Sequence, residues 1–297
     1  MEYIPGGNTK INRETLKAFL TDTLVCRERT FDAFADKVLS RADVFIKLSE
    51  NEPLFALIAL QVSIKTYSDS FKAAYIIPAV KEEGLYYELT DDISGWLGEI
   101  AGKYAADCLI FSPNDEVASQ VFGELGFKDS FFEKKLRITG YSAKVLASKL
   151  QKTESELNYS DYSALSDKYK NPHIQWDEDV FSYFLSSAHD AGGTAVSFSV
   201  NDKISAYMLG KKSSPACLIF ETVGDSAALS LALSYFAGDE EIGEFEIFLP
   251  LDYKLSADNM EILSGAMLKY ENERAERALS GAALHMGYNP WRRILYK

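Results

Sequence analysis

The segment from Tyr75 to Tyr104 constrains the fold of this chain more than any other. Lys72 to Val80 is a largely apolar run with strand character, and it breaks at Lys81-Glu82-Glu83-Gly84. From about Gly84 to Tyr104, Leu85, Leu89, Ile93, Trp96, Leu97, Ile100 and Tyr104 recur every three or four residues, which draws one buried stripe along a helix. Asp107 to Phe111 (DCLIF) follows, short and almost wholly apolar, as a strand covered on both faces requires. Strand, turn, helix and buried strand in this order predict a parallel pair covered by helices, and hence an α/β (α+β) chain. The turn also has a chemical meaning. A strand feeding a helix presents free backbone N–H groups at the positive end of the helix dipole, an anion site in principle. Gly84 lets a phosphate come close to that backbone. Taken alone, such a turn is more often a plain connection.

The rest of the chain divides around this unit. Asn12 to Leu20 reads as a helix with Asn12 as N-cap, and Phe31 to Ala42 as a second. Val44 to Leu48 and Leu54 to Ile64 read as strands joined through Ser49–Pro53, a hairpin. Ser112 or Asn114 caps a helix that Gly126 stops, and Phe131 to Ile138 is a strand. Thr139 to Tyr162 is polar and helical, the expected connector. A second α/β run follows, with a helix over 178–189 and strands over 195–199, 204–209 and 216–223. It continues with a helix from Ser226 to Phe236, a strand over 244–249 and a helix from Ala257 onward. The order of elements is similar in the two halves without residue-level repetition, which predicts a duplicated fold with diverged sequence.

Composition narrows the function. Apolar residues are 47% and charged residues 25%, so most of the chain can pack a core. A formal net charge of −13 argues against a general nucleic-acid or anionic-membrane surface; it would attract cationic partners, amines included, but such a surface more often serves only solubility. The start, MEYIPGGNTK, has no apolar signal core, and Leu54 to Leu60 is far short of the ~18 residues of a membrane helix. The cytoplasm is therefore the expected compartment. Cys26, Cys108 and Cys217 lack metal or redox spacing and read as reduced, buried thiols, while His173, His189 and His285 show no ligand pattern, so no metal is expected. Gly210-Lys211-Lys212-Ser213 ends like a phosphate-binding loop, but Ser205 holds the position of its first glycine, so it reads as a solvated turn. The tail Trp291-Arg292-Arg293 reads as a packed or solvated end.

Three segments together resemble the GCN5-related N-acetyltransferases. Phe31 to Leu57 is similar to the family's helix and hairpin, Ala74 to Val80 to its central cofactor strand, and Ser112 to Phe127, ending Leu-Gly-Phe, to its later helix. The resemblance covers roughly residues 10 to 138. In that family a loop Gln/Arg-x-x-Gly-x-Gly/Ala holds the coenzyme A phosphates; here it reads Lys81-Glu82-Glu83-Gly84-Leu85-Tyr86. Gly84 and the charge of Lys81 match, whereas Glu82, Glu83 and the bulk of Tyr86 depart. The tyrosine that often protonates the departing thiolate falls on Phe122, and the usual asparagine on Asp115. The resemblance implies cofactor contacts at Ile77, Ala79, Val80, Lys81, Gly84, Leu85, Tyr86, Asp115 and Phe122. Read from the residues alone, the Tyr and Phe content is mostly core, with Tyr75, Tyr86 and Tyr87 near the turn as candidates to line a pocket.

Residues 160 to 250 are similar, more weakly, to the second lobe of tandem members, the "enhanced intracellular survival" type being the nearest. That type carries a further sterol-carrier-like domain, which this chain is expected to lack. The resemblance implies two tandem acyltransferase-like lobes, each a mixed sheet flanked by helices: residues 1–138 with the coenzyme A site, and 139–297 as a degenerate second lobe whose Thr222–Ser226 lacks the loop pattern. The implied function is acetyl-CoA-dependent acetylation of a primary amine, on a small molecule or a peptide, by direct attack on the thioester. The backbone around Ile77 to Val80 would polarise the carbonyl, with Glu52 and Asp69 as unranked proton acceptors. The alternatives are a catalytically degenerate module that binds a small ligand or protein partner, and a structural pair of lobes. A homodimer is a further expectation.

Overall fold

A computed structural model describes residues 11–24, 31–113, 115–224, 227–239, 241–254, 260–282 and 284–285, and the backbone of 2–3. The expectations placed on the Asn12 side chain, Cys26, Asn114, Ser226, Ala257 and Trp291–Arg293 lie outside these residues. Strands β1 (Glu2–Tyr3) and β2 (Ile11–Asn12) pair with each other, and α1 (Arg13–Thr23) follows. Helix α2 (Phe31–Lys37) is shorter than its apolar spacing predicts, because a 3₁₀ turn over Leu39–Arg41 and strand β3 (Ala42–Ser49) take over. Strands β4 (Glu52–Lys65) and β5 (Ser70–Val80) complete a meander, whose first turn places Glu50 and Asn51 at positive φ. The long helix is broken at Leu89 into α3 (Leu85–Glu88) and α4 (Thr90–Tyr104).

Strand β6 (Cys108–Phe111), helix α5 (Glu116–Glu124) and strand β7 (Lys128–Thr139) end the first half. The cap of α5 is Asp115 rather than Ser112; its carboxylate accepts from the Ala118 N–H at 2.6 Å. The expected connector is more structured than its polarity predicts. It holds α6 (Gly140–Leu146), the exposed edge strand β8 (Thr153–Glu156) and α7 (Tyr159–Ser166), which β9 (His173–Gln175) follows. Then come α8 (Glu178–Asp190), β10 (Thr194–Val200), β11 (Lys203–Ser213), β12 (Ala216–Gly224), α9 (Ala228–Phe236) and β13 (Glu244–Pro250). Residues 210–213 are part of β11, not a turn. The helix expected from Ala257 is instead strand β14 (Met260–Tyr270), with α10 (Glu273–Leu279) after it.

One 12-stranded sheet runs through both halves in the order β3-β4-β5-β6-β14-β7-β13-β12-β11-β10-β8, and β9 also pairs with β4. Among the described residues, β5/β6 and β12/β13 are the parallel neighbours, one pair in each half. The division near residue 139 does not separate the sheet. β7 from the first half pairs with β13, and β14 from the second half lies between β6 and β7. Three apolar cores form among the described residues. One packs α4 and α5 on the first half, one packs α9 on the second, and the largest joins both halves on the opposite face of β5. Cys108 and Cys217 are free and buried, and burial pushes both thiols up to about 12. No helix among the described residues is long and apolar enough to cross a membrane.

Candidate functional site

Each parallel pair opens into a wedge where one strand outruns its partner. In the first half β5 pairs with β6 from Ala73–Cys108 to Ile76–Phe111, and then Ile77 to Val80 continue alone on that side. The backbone direction can be read from three hydrogen bonds. The Lys72 N–H donates to the Asp107 carboxylate and its carbonyl accepts from the Asp107 N–H, so even-numbered groups of β5 face β6. The Lys81 N–H donates to the Leu54 carbonyl, so odd-numbered groups face β4. The β4–β5 register runs without a bulge. Pro78, which has no N–H, therefore faces the open wedge, where no ladder bond is lost. Val80 supplies the wedge's N–H donor from this stretch.

The other predicted cofactor residues are placed as follows. The side chains of Ile77 and Ala79 lie in the core that joins the halves, on the face away from α4 and α5. Val80 and Leu85 pack on the α4–α5 core. Lys81 Nζ pairs with Glu52 at 3.2 Å. Gly84 has an ordinary φ of −57°, and a Cβ on it would meet nothing within 4 Å. Asp115 is spent on capping α5. Tyr86, 1% exposed, meets Phe55 edge-on at 5.7 Å and Phe122 edge-on at 6.4 Å, and Phe122 stacks on Phe111 at 3.8 Å. Burial, with Asp115 and Glu83 adding to it, raises the Tyr86 phenol well above its usual pKa. The Tyr87 hydroxyl donates to Gln120 Oε1 at 3.0 Å and ties α3 to α5 above these rings. Tyr86 and Phe122 thus fill the space between α3 and α5. Tyr75 faces the opposite core, where it meets Trp176 edge-on at 5.2 Å. Asp69 pairs with Arg274 at 2.8 Å.

The second wedge has a different interior. β12 pairs with β13 from Ala216–Glu244 to Ile219–Ile247. Against β11, the register steps from Gly210–Ile219 to Leu209–Glu221, so Phe220 is an extra residue, a β-bulge at the mouth of the wedge. Beyond it β12 runs on to Gly224, while Phe248 to Pro250 pair away from it, with β7. A cavity of about 250 Å³ lies here, lined in part by Tyr169, Thr222, Asp252, Tyr253 and Lys254. Thr222 is 1% exposed and its Oγ1 has no hydrogen-bond partner among the described residues. Gly224 is required by close approach, since a Cβ would stand 2.3 Å from the Ser205 carbonyl oxygen. The Tyr169 hydroxyl donates to Asp252 Oδ1 at 2.8 Å, and Asn171 donates to the other carboxylate oxygen. Burial first, then Asp252, raises the Tyr169 phenol well above its usual pKa, so it keeps its proton at neutral pH. On the same strand the buried Glu221 accepts from the Tyr207 hydroxyl at 2.9 Å and lies 3.3 Å from His285 Nε2.

Sequence reasoning missed this second constellation because it sought the phosphate-loop pattern at Thr222–Ser226. The available signal was Glu221, a carboxylate inside an apolar strand. No group of three or more His, Cys, Asp or Glu side chains able to hold a metal ion occurs among the described residues.

No family model and no curated protein matches the chain. Solved structures do. A GCN5-related N-acetyltransferase from Anabaena variabilis aligns over 89% of this chain and 72% of its own, with a TM-score of 0.67 and 13% identity. A conserved protein from Enterococcus faecalis, described as a probable N-acyltransferase, aligns over 86% and 70%, with a TM-score of 0.65 and 12% identity. Eis1 from Mycobacterium abscessus aligns over 85% and 73%, with a TM-score of 0.58 and 14% identity. The chain has the fold of the GCN5-related N-acetyltransferases.

Proposed function

We propose that this chain is an acyl-CoA-dependent N-acyltransferase that moves an acetyl group from acetyl-CoA to a primary amine, and that its working wedge is the second one. The observation that carries this reading is the cavity beyond the Phe220 bulge, with the unpartnered Thr222 hydroxyl buried at its wall. A buried hydroxyl without a partner costs about 1–3 kcal/mol, which a hydrogen-bonding ligand relieves. Acetyl-CoA, when bound, supplies an activated acyl carbon. Thr222, Tyr169 and Lys254, which line the cavity, would hold it. The Asp252 carboxylate attracts the ammonium form of the acceptor and receives its proton, leaving the amine lone pair free to attack. After attack the nitrogen loses its second proton, which leaves with the sulfur as the thiol, while Asp252 passes the first to solvent. The Tyr169 phenol, kept protonated by burial, hydrogen-bonds the departing sulfur. The chain's negative charge favours a cationic acceptor.

A second reading, a catalytically degenerate module that binds a small ligand or protein partner, draws on the packing of Tyr86 against Phe122 in the first wedge. Calorimetry on the full chain separates the two. Acetyl-CoA is expected to bind, and Thr222→Val to weaken it about tenfold while raising the melting temperature. Gly84→Val is expected to leave affinity unchanged. Loss of binding in Gly84→Val would return the site to Ile77–Tyr86, and no binding at millimolar acetyl-CoA would end the donor assignment. Binding without acetyl transfer across an amine panel would favour the degenerate module.

A further inference from the structure

A buried serine–histidine pair borders a second cleft, next to the Tyr169 ring that packs edge-on against the histidine at 5.5 Å. Ser166 ends α7 and His173 begins β9; each is 5% exposed. Ser166 Oγ is 2.8 Å from His173 Nε2, and His173 Nδ1 is 2.9 Å from the Asn171 carbonyl oxygen. A carbonyl oxygen can only accept, so Nδ1 carries the ring proton and Nε2 is the bare nitrogen. Nε2 then accepts from the Ser166 hydroxyl. Burial keeps the imidazole pKa below its usual value, so the ring is neutral and Nε2 is open at pH 7. Hydroxyl, ring and orienting carbonyl are linked by successive hydrogen bonds, the order that a serine nucleophile with a histidine base requires.

A hydrogen bond between two buried side chains can also be no more than mutual satisfaction. What sets this one apart is its surroundings. Both residues border a cleft of about 680 Å³ between the 65–70 and 166–170 segments. Lys65, Lys168 and Lys170 line it, against Asp69 and Asp167. Asp167 is paired with Lys65 and Asp69 with Arg274, which leaves Lys168 and Lys170 without ion-pair partners among the described residues. A cationic cleft in a chain of net charge −13 selects anionic ligands locally.

We propose that Ser166, activated by His173, is an acyl-accepting nucleophile for esters or thioesters that carry a negative charge. Ser166 Oγ bonds to the substrate carbonyl carbon as its proton passes to His173 Nε2. The carbon–oxygen or carbon–sulfur bond then breaks, and the leaving alcohol or thiol takes that proton. Water adds to the acyl-serine, giving one proton to Nε2, and Ser166 departs with that proton restored. The net change is hydrolysis to an acid and an alcohol or thiol, with no coenzyme required.

The test is a fluorophosphonate probe on the full-length chain, read by peptide mass spectrometry. A single adduct on Ser166 is expected, forming roughly 100-fold more slowly in His173→Gln. An anionic p-nitrophenyl succinate ester is expected to turn over several-fold faster than the neutral acetate, roughly the discrimination of one screened charge pair, with the preference lost in a Lys168→Gln/Lys170→Gln variant. Absence of any Ser166 adduct on the folded wild type would overturn the proposal, and that result does not depend on how a variant folds. Equal labelling rates in folded wild type and His173→Gln would overturn it as well, since a merely structural pair predicts no difference.

Discussion

Tyr86 decides what the first wedge is. Its position follows Gly84 by two residues, where a small side chain would let the helix end approach a bound phosphate. Its ring instead completes an aromatic cluster with Phe55, Phe111 and Phe122. The bulk at this position was legible in the sequence, and so was the missing hydroxyl at Phe122. The direction of either ring was not, because in a four-residue helix such as α3 packing, rather than periodicity, sets which way a side chain points. Truncation gives the measurable consequence. Tyr86→Ala removes a fully buried ring and is expected to cost about 3–5 kcal/mol in urea unfolding. It should leave acetyl-CoA affinity within about twofold, because that affinity is assigned to a wedge whose lining shares no residue with this cluster. A Tyr86→Ala chain that gains affinity tenfold would show that the first wedge is a latent site closed only by this ring.

At the scale of elements, strand identity was largely readable and strand context was not. The meander β3–β4–β5 and the buried β6 follow from alternation, apolar runs and turn residues. β14 does not. MEILSGAMLKY spaces its apolar residues in a way that suits a helix or a strand, and the slot between β6 and β7 makes it a strand. The Phe220 bulge was equally hidden, since a bulge is a mismatch between two strands and neither records it alone. Pro78 is the reverse case. A proline inside an apolar run argues against a central strand, yet here it sits in one, because its missing N–H faces the end of β6. Pro78→Ala is therefore expected to change stability by no more than about 0.5 kcal/mol. Moving the proline one residue, Ala79→Pro, turns the defect toward β4. It leaves the facing Ala56 carbonyl unsatisfied at a cost of about 1–3 kcal/mol, before any clash of the ring. Urea titrations of the two variants give the comparison, and equal effects would refute the backbone direction assigned to β5.

For the whole molecule, the exchange of strands matters more than the repeated order of elements. Each half builds the same order of hairpin, third strand and parallel fourth strand, and each then needs a neighbour that the other half provides. β6 is flanked by β14, and β13 by β7. The β7–β14 ladder joins the halves along the middle of the sheet, and the largest core, with Tyr75 against Trp176 and Phe34 against Tyr183, spans them on one face. Neither half can therefore close its own sheet. Residues 1–139 alone would expose β6 on the side that β14 covers and leave β7 without either partner, an open edge prone to mispairing. The intact chain is expected to unfold in urea as one cooperative transition with coincident fluorescence and circular-dichroism curves, although its two halves repeat one order of elements. Fragments 1–139 and 140–297, expressed separately, are expected to lack cooperative melts and to regain one when mixed during refolding. A cooperative melt from either fragment alone would show that strand exchange is dispensable and that the lobes are independent folding units.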